Sequence, residues 1–288
     1  YSASGYVIEI GKNVEYFSIG DRVACAGAGI SNHAEIINVP VNLAVKLSEA
    51  VNLKEASTVT LGSIALQGIR RANPTLGETF VVVGLGLLGQ LTSQLLSANG
   101  CKVIGIEIDK DRITFAKKSG MEEGINPNKE DAKKTIDSLT NGIGADGVII
   151  TATTKTNSII RDAMQFCRRK GRVIIVGDIG LELVRSDFYK KELDIFISCS
   201  YGPGRYDPYY EEEGQDYPFE YVRWTENRNM QAYIDLLEKK RVTLENLNYK
   251  TFNIKDVNKA YDSLKNAERP ILIYLEYDKK EELKRKVE

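Results

Sequence analysis

A glycine-rich turn is the first stretch of this chain whose residue types and spacing could do chemistry. Residues 79–90 read TFVVVGLGLLGQ, a GxGxxG pattern between an apolar strand-like run and a helical run. The first glycine permits a tight turn, the second lets a pyrophosphate approach the backbone, and the third lets helix and strand pack closely. Free N–H groups at the helix N-terminus favour an anion. The pattern predicts dinucleotide binding by Gly84, Gly86, Leu87, Leu88 and Gly89.

An acidic residue ends the next apolar strand and bears on the choice of cofactor. Residues 102–107 read KVIGIE, which places Glu107 where its carboxylate can hydrogen-bond the adenosine ribose hydroxyls. A carboxylate at this point repels a 2′-phosphate, so NAD is predicted and NADP is less favoured. Lys110 and Arg112 lie just beyond and could soften this preference. Either can be a solvated helix charge, and Arg112 is also a candidate to reach the ribose.

Two later turns follow the ends of apolar strands, at 151–153 and at 176–178. In a doubly wound parallel sheet, the carboxyl ends of the strands border the cofactor crevice. Thr153 and Gly177 are therefore predicted to contact the cofactor.

A tyrosine-rich segment, YGPGRYDPYYEEEGQDYPFEYVRW at 201–224, follows the sixth strand-like run and reads as a long ordered loop. Hydride transfer to or from a nicotinamide needs the substrate oxygen polarised and a proton moved. Tyrosine and arginine side chains can do both, and stackable rings beside polar groups suit sugars. The candidates for catalysis or substrate binding are Tyr206, Arg205 and Arg228. The alternative is that this segment only packs against another part of the protein.

Bulk composition narrows the class of protein. Apolar residues make up 42% and charged residues 27% of the 288 residues, and the formal net charge is −1. This balance offers no global field for nucleic acid or an anionic membrane. No apolar run approaches the roughly 18 residues that a membrane helix needs. The cysteines form no CxxC pair, which favours a reducing cytoplasm and offers no structural zinc site; they are Cys25, Cys101, Cys167 and Cys199.

The elements that must position these residues fall into four parts. Residues 1–52 carry short β-rich runs, YVIEI, RVACA and AEIINVP, as in a partial antiparallel β unit. Residues 53–200 begin with two helices that break near Gly62. Apolar strands and amphipathic helices then alternate, which predicts an α/β fold with a doubly wound parallel sheet. Residues 201–277 return through the tyrosine-rich segment, a helix capped by Thr225, and a strand, helix and strand. Residues 278–288 read as a charged tail or linker.

These motifs, in their order along the chain, resemble the medium-chain dehydrogenase/reductase superfamily of the zinc alcohol dehydrogenase type. The matching stretches include GYVIEIGKNVEYFSIGDRV, HAEIINVPVNLAVKLSE, EASTVTLGSIALQGIRRA, GETFVVVGLGLLGQ and KVIGIEIDKDRITFAKKSG. The resemblance implies a Rossmann-like NAD-binding domain inserted into a GroES-like β-rich catalytic domain. Most of that domain's N-terminal portion would be missing before Tyr1. It also implies a small-molecule alcohol or carbonyl substrate.

Departures from the family pattern bear on the metal. Members with catalytic zinc have a Gly-His-Glu triplet where this chain opens, so Tyr1 stands for the His and Ser2 for the Glu. A later ligand Cys is matched by Leu61 before Gly62, and the stretch GAGISNHAE is too short for a structural zinc loop. Tyr, Ser and Leu are poor zinc ligands, so no zinc is predicted. His33 is expected to be a structural or surface residue, and Cys25 a small buried packing residue.

The tyrosine-rich segment itself resembles that of bacterial two-part oxidoreductases, in which a zinc-less dehydrogenase half precedes a second half of the Gfo/Idh/MocA type. That resemblance implies a fused C-terminal oxidoreductase domain and a sugar-related substrate. By the superfamily resemblance, two copies pair across the strand DIFIS, which implies a homodimer.

Three functional classes remain open from the sequence. The first is an NAD-dependent, zinc-independent oxidoreductase. The second is a non-catalytic dinucleotide-binding module that senses redox state or scaffolds a partner domain. The third, an S-adenosylmethionine methyltransferase, also uses a glycine-rich first turn but requires seven strands in its own order.

Overall fold

A small antiparallel sheet opens the computed structural model, which describes residues 1–265 and 269–278. Its three strands lie in the order β1 (Ser2–Tyr6), β2 (Arg22–Ala26) and β3 (Ala44–Lys46). The predicted antiparallel β unit is confirmed, and RVACA is its central strand.

Two of the predicted strand runs in this unit are placed differently. The first strand ends at Tyr6, whereas YVIEI begins there, and AEIINVP at 34–40 forms no strand. Turn bonds precede this second run, since Asn32 N donates to Ile30 O and Ala34 N to Asn32 O. The apolar side chains of Ile37 and Val39 instead pack on a small cluster of buried residues. The apolar residues of the run 34–40 therefore indicate packing against the core, but they do not form backbone hydrogen bonds with a neighbouring strand.

Two helices join the small sheet to the rest of the chain: α1 (Leu53–Ala56) and α2 (Val59–Ala72). The break between them lies at Ser57 and Thr58, so the prediction of a break near Gly62 is wrong. A Cβ on Gly62 would lie 2.3 Å from the ring of Tyr233. This glycine is needed for close packing between helices, and α2 continues through it.

A six-stranded parallel sheet forms the centre of the molecule, and the predicted doubly wound α/β fold is confirmed. In sequence order its strands are β4 (Thr79–Val83), β5 (Lys102–Ile106), β6 (Glu123–Ile125), β7 (Ala145–Ile150), β8 (Cys167–Ile175) and β9 (Asp194–Ile197). Their spatial order, β6-β5-β4-β7-β8-β9, equals 3-2-1-4-5-6 when the strands are counted along the chain. That is the order of dinucleotide-binding sheets, which disfavours the methyltransferase alternative.

Helices connect successive strands of this sheet. They are α3 (Leu87–Ala98), α4 (Lys110–Lys118), α5 (Ala132–Leu139), α6 (Ser158–Phe166) and the short α7 (Arg185–Phe188). Asp109 and Asp131 cap α4 and α5 by accepting from backbone N–H groups of the first turn. Helix α6 ends at Phe166 because the chain enters β8 directly at Cys167.

The C-terminal part packs beside both sheets. It contains α8 (Pro208–Glu211), α9 (Glu226–Glu238), β10 (Tyr249–Asn253), α10 (Val257–Ser263) and β11 (Leu272–Glu276). The Thr225 side chain accepts from Arg228 N, so the predicted N-cap is confirmed. The tyrosine-rich segment includes α8 and is thus not purely a loop. Of the predicted tail at 278–288, all but Asp278 lies outside the described residues.

The core divides along the two faces of the parallel sheet. Val82, Ile149 and Ile174 point to one face and join the larger cluster with the side chains of α2 and α9. Their strand neighbours point to the other face, where Val83 and Ile150 pack with residues of α6. Side chains that alternate between two covered faces explain why the strands read as continuous apolar runs. Within residues 1–265 and 269–278, no helix is long and apolar enough to cross a membrane.

Candidate active site

The glycine-rich turn lies directly after β4 and opens α3. Gly84 has φ +88°, a conformation that favours glycine, and a Cβ there would lie 2.9 Å from Ala152. A Cβ on Gly89 would lie only 1.9 Å from Gly84 O. These two glycines are therefore required by the packing of the turn against α3 and the end of β7.

Gly86 differs from its two neighbours in the motif. It is the N-cap of α3, and a Cβ on it would meet no heavy atom within 4 Å. Nothing in the described protein thus requires a glycine here. The open space is consistent with a ligand that approaches the backbone, next to the first helical residues, Leu87 and Leu88.

Glu107 is tied to this turn by hydrogen bonds. Its Oε2 accepts from Leu85 N at 2.8 Å, and its Oε1 accepts from Ile108 N at 2.8 Å and Asp109 N at 3.2 Å. The side chain is buried. A carboxylate has about four acceptor positions, and the fourth faces Arg112 Nη1, whose contact with Oε2 is long at 3.5 Å. A ribose hydroxyl would therefore have to replace or share this weak contact.

Arg112 lies over the same carboxylate. Its Nη1 is 3.5 Å from Glu107 Oε2, and its Nε is 3.6 Å from Asp109 Oδ2. The guanidinium therefore partly neutralises the acidic residue that would discriminate against a 2′-phosphate. The structure thus brings the two predicted ribose-site residues together.

A cavity of about 690 Å³ opens in front of these residues. This volume lies within the usual range for small-molecule and cofactor sites. Five of the residues predicted to contact the cofactor line it, and their contacts with a cofactor stay a prediction; they are Gly84, Gly86, Glu107, Arg112 and Thr153. Residues of α5 and α6 form its far wall, and they include Ala132, Lys133, Ile159, Asp162 and Phe166.

Gly177 is not among the residues that line this cavity. A Cβ on it would lie 2.0 Å from Ala152 O, so it is required for the close approach of two strand ends. Thr151, by contrast, donates from Oγ1 to Gly84 O at 2.6 Å. The turn after β7 therefore supports the glycine-rich turn through Thr151, and its residues Thr151, Ala152 and Thr153 line the cavity. The turn after β8 packs on it through Gly177.

The predicted catalytic residues lie elsewhere, within the tyrosine-rich segment and the start of α9. Arg205 Nη1 contacts both carboxylate oxygens of Glu211, at 2.7 and 2.9 Å. Tyr206 is 69% exposed, with φ +69°, and the Arg205 guanidinium lies 4.0 Å from the centre of its ring. None of the three residues lines the cavity described above.

Arg228 holds the segment together from the first turn of α9. Its guanidinium donates to Val222 O at 2.6 Å and to Tyr217 O at 3.3 Å, and it pairs with Asp216. These bonds fix a stretch that has little regular secondary structure. The contacts of Arg228 are therefore those of an anchor, and its catalytic role stays a prediction.

A buried acidic residue beside this segment was missed by sequence reasoning. Glu226 is fully buried, and neither of its carboxyl oxygens has a hydrogen-bond partner within the described chain. Burial, and then the nearby Glu211 carboxylate, raise the pKa of Glu226 to about 9. The hydroxyl of the neighbouring Tyr201 is also buried, and it has no hydrogen-bond partner among residues 1–265 and 269–278. At neutral pH, Glu226 is therefore a neutral carboxylic acid.

Comparison with known proteins bears on the cofactor half of the molecule. Residues 88–213 match the model of the zinc-binding dehydrogenase family. A D-guloside 3-dehydrogenase of Shigella flexneri is 35% identical over 150 residues, which are 51% of this chain and 42% of that protein. The match thus spans less than half the length of that curated relative.

Solved structures resemble nearly the whole described fold. The 2R,3R-butanediol dehydrogenase of Bacillus subtilis aligns with a TM-score of 0.75 at 20% identity, covering 96% of this chain and 79% of that one. A short chain alcohol dehydrogenase of Escherichia coli CFT073, complexed with cofactor NADH, aligns with a TM-score of 0.74 at 21% identity, covering 94% and 81%. The resemblance to medium-chain dehydrogenases/reductases is confirmed. The comparisons also support an enzyme of the dehydrogenase/reductase type.

The positions that match zinc ligands in this superfamily are drawn together at the start of α2. Thr60 N donates to Ser2 Oγ at 3.1 Å, and Thr60 Oγ1 donates to Tyr1 O at 3.0 Å, beside Leu61. The Ser2 hydroxyl itself donates to Ser57 O at 2.7 Å. In the described ranges, no group of three or more His, Cys, Asp or Glu side chains is placed to hold a metal ion. Cys25 is buried, as expected of a packing residue.

Arg269 is a second residue that sequence reasoning missed. It lies between α10 and β11, far along the chain from the glycine-rich turn, and it lines the same cavity. A guanidinium that lines a cavity is well suited to bind a phosphate there. No local motif surrounds it in the sequence, so only the fold could have indicated its position.

Proposed function

We propose that this chain carries the cofactor-binding part of an NAD-dependent, zinc-independent dehydrogenase that acts on an alcohol or carbonyl group of a sugar or sugar derivative. The observation that carries the proposal is the cavity in front of Gly86, which is bordered by the carboxylate of Glu107. The sugar assignment rests on the D-guloside 3-dehydrogenase relative, and the cofactor domain is taken as residues 53–200.

The residues present fit a dinucleotide. The open space over Gly86 and the first N–H groups of α3 would hold the pyrophosphate, with Arg269 as a further cation. Glu107 would accept from the adenosine ribose, and its charge favours NAD over NADP. A bound nicotinamide would supply or accept the hydride.

We further propose Tyr206 as the residue that moves a proton at the substrate oxygen. Arg205 and Arg228 are already paired with Glu211 and Asp216, whereas the Tyr206 side chain is exposed beside a guanidinium. In this proposal the two arginines position the segment. Tyr206→Phe should lower kcat strongly and leave the NADH dissociation constant unchanged.

A homodimer through β9 is proposed as well. This strand is the last of the parallel sheet, and its Ile197 side chain is more than half exposed. Ile197→Lys should shift the sedimentation coefficient of a dimer towards that of a monomer. An unchanged coefficient would contradict this assembly.

Reduction of NAD⁺, followed at 340 nm with D-gulosides and a panel of sugar alcohols, tests the function. A chelator is included throughout, and Gly86→Ala and Gly5→Ala serve as the variant with weakened cofactor binding and its matched control. Activity that survives the chelator and falls, at a subsaturating NAD⁺ concentration, only in Gly86→Ala supports the proposal. Cofactor binding without reduction by any substrate would favour a non-catalytic dinucleotide-binding module. Loss of activity with the chelator would contradict zinc independence.

A further inference from the structure

The single tryptophan of the chain lies between two arginines. The guanidinium carbon of Arg70 is 3.3 Å from the centre of the Trp224 ring, and that of Arg223 is 3.7 Å from it. Two guanidinium groups this close to one ring centre would overlap on the same face, so they lie on opposite faces. The arrangement joins α2, which carries Arg70, to the end of the tyrosine-rich segment.

Neither arginine has an acidic partner in the part of the chain that the structure describes. Within residues 1–265 and 269–278, no carboxylate forms an ion pair with Arg70 or Arg223, although Arg228 nearby is paired with Asp216. Arg70 donates from Nε to Asn229 Oδ1 at 3.3 Å, which is a neutral acceptor. Two like charges thus face each other across one ring without compensation.

Stacking leaves the hydrogen-bonding edges of both guanidinium groups available. A guanidinium stacks through its flat face, and its N–H donors point outwards in the plane. No hydrogen bond within the described chain uses the Nη atoms of Arg70 or any donor of Arg223. Planar forks of this kind match the oxygens of a carboxylate or a phosphate.

The proximity of the two cations has an electrostatic signature. Burial, and then the positive charge of Arg223, lower the pKa of Arg70 to about 10. A bound anion would offset the repulsion between the two guanidinium groups, and its charge would compensate for the hydration that Arg70 has lost. The cluster is therefore preorganised for a negative group, with its repulsion unrelieved in the free protein.

An exposed ring extends this surface. Phe219 is 54% exposed, and its ring centre lies 4.6 Å from the Arg223 guanidinium and 4.9 Å from that of Arg228. Ring faces of this kind can stack against the C–H face of a sugar, while the adjacent guanidinium binds an acidic substituent. None of these residues lines the cofactor cavity.

We propose that Arg70, Trp224 and Arg223 form a second binding site, for an acidic sugar whose carboxylate or phosphate contacts the edge of the exposed Arg223 guanidinium, with the positive charge of Arg70 on the other face of the ring. This site is separate from the dinucleotide cavity. Its occupation requires no hydride transfer, so it does not depend on the proposed dehydrogenase activity.

The single tryptophan gives one indole N–H signal in a ¹H–¹⁵N spectrum, which reports directly on this site. The protein is titrated at constant ionic strength with D-glucuronate, D-glucose 6-phosphate, D-glucose and inorganic phosphate. We expect saturable shifts of the indole signal with one or both acidic sugars, which identifies a carboxylate or a phosphate as the ligand group. D-glucose should cause no shift, and inorganic phosphate should bind about tenfold more weakly than D-glucose 6-phosphate.

Two variants separate this site from a general charge effect. Arg223→Gln removes an exposed guanidinium and should weaken binding of the acidic sugar by about tenfold or more. Arg71→Gln is the matched control on the same helix, because Arg71 donates to Ile197 O and stacks on Phe196 instead of Trp224. It should bind as the unmodified protein does.

Three results would overturn the proposal. The first is the absence of any saturable shift with either acidic sugar, and the second is equal binding by Arg223→Gln. The third is equal binding of D-glucose and D-glucuronate, which would remove the anionic requirement. Equal affinity for inorganic phosphate and D-glucose 6-phosphate would overturn the sugar part, since the ring would then contribute nothing.

Discussion

The cofactor cavity and the tyrosine-rich segment contrast in how their charged groups are satisfied. In the cavity, the carboxylate of Glu107 accepts three backbone N–H groups and lies against Arg112. In and beside the segment, Glu226 is buried without a partner, and Arg223 has no acidic partner within the described chain. The charged groups of the cavity thus have partners within the protein. In the tyrosine-rich segment, some charged and polar groups find no partner among the described residues.

The two regions differ in what holds their shape, which is the backbone in one case and side-chain contacts in the other. The cavity is shaped by backbone geometry, since Gly84, Gly89 and Gly177 each exclude a Cβ. The segment is shaped by side-chain stacking and by ion pairs such as Arg205 with Glu211. A backbone-built site should be sensitive to single methyl groups, and a site built from side chains should be sensitive to charge and pH.

The largest effect is expected from Gly89→Ala. Its Cβ would lie 1.9 Å from Gly84 O, and backbone cannot move aside cheaply. The free energy of unfolding should fall by about 3 kcal/mol, and NADH binding should be lost. Urea denaturation measures the first quantity. The control variant is Gly5→Ala, because a Cβ on Gly5 meets nothing within 4 Å. Its free energy of unfolding should change by less than about 0.5 kcal/mol. An equal loss of stability in the two variants would contradict the idea that backbone packing shapes the cavity.

A pH dependence is expected from Glu226. Because burial raises its pKa from 4.5 to about 9, the folded protein keeps a proton that the unfolded chain releases above pH 4.5. Its contribution to stability is complete below pH 4.5 and falls as the pH rises towards 9, by at most about 1.4 kcal/mol per pH unit.

The Glu226→Gln variant should lose this dependence of the free energy of unfolding on pH. Urea denaturation at a series of pH values between 5 and 9 measures it. Glu212→Gln, an exposed residue of the same segment, is the matched control and should keep the slope. Identical profiles for the Glu226→Gln variant and the unmodified protein would show that the carboxyl finds a partner, such as an ordered water, that keeps it ionised.

A smaller and purely functional effect is expected from Gly86→Ala. No protein atom lies near the added Cβ, so the free energy of unfolding should not change. NADH affinity should fall by about tenfold, because the methyl group occupies the space where the pyrophosphate approaches. Calorimetric titration measures the affinity. Unchanged binding would mean that the ligand of this cavity does not approach the turn.

The smallest effect is expected from Arg112→Gln. Removing the guanidinium leaves the charge of Glu107 less compensated, which disfavours a 2′-phosphate further. The NADPH dissociation constant should rise about threefold, while that of NADH changes less. A larger loss of NADH than of NADPH would instead assign Arg112 directly to the ribose or phosphates of NADH.

Much of the cofactor region could be predicted from the sequence because its signals are local. A buried strand, a GxGxxG turn and an acidic residue at the next strand end lie within 79–107. Gly177 illustrates what this reasoning leaves out. Its position at a strand end predicted a cofactor contact, which stays a prediction, and the structure adds a packing constraint between two strands, because a Cβ there would lie 2.0 Å from Ala152 O.

The second region could not be predicted in the same way, because its contacts join distant parts of the chain. Arg70 and Trp224 are 154 positions apart, yet they stack on each other. Glu226 reads as an ordinary first-turn acid after an N-cap, and only its burial shows that it is neutral. Arg269 likewise reaches the cavity through the fold alone.

Binding of NADH and NADPH to the unmodified protein, measured by isothermal titration calorimetry, tests the central claim most directly. Glu107 and the open space over Gly86 predict saturable NADH binding at least about tenfold tighter than NADPH binding. Saturable binding of neither dinucleotide, or tighter binding of NADPH, would contradict the account of this cavity as an NAD site.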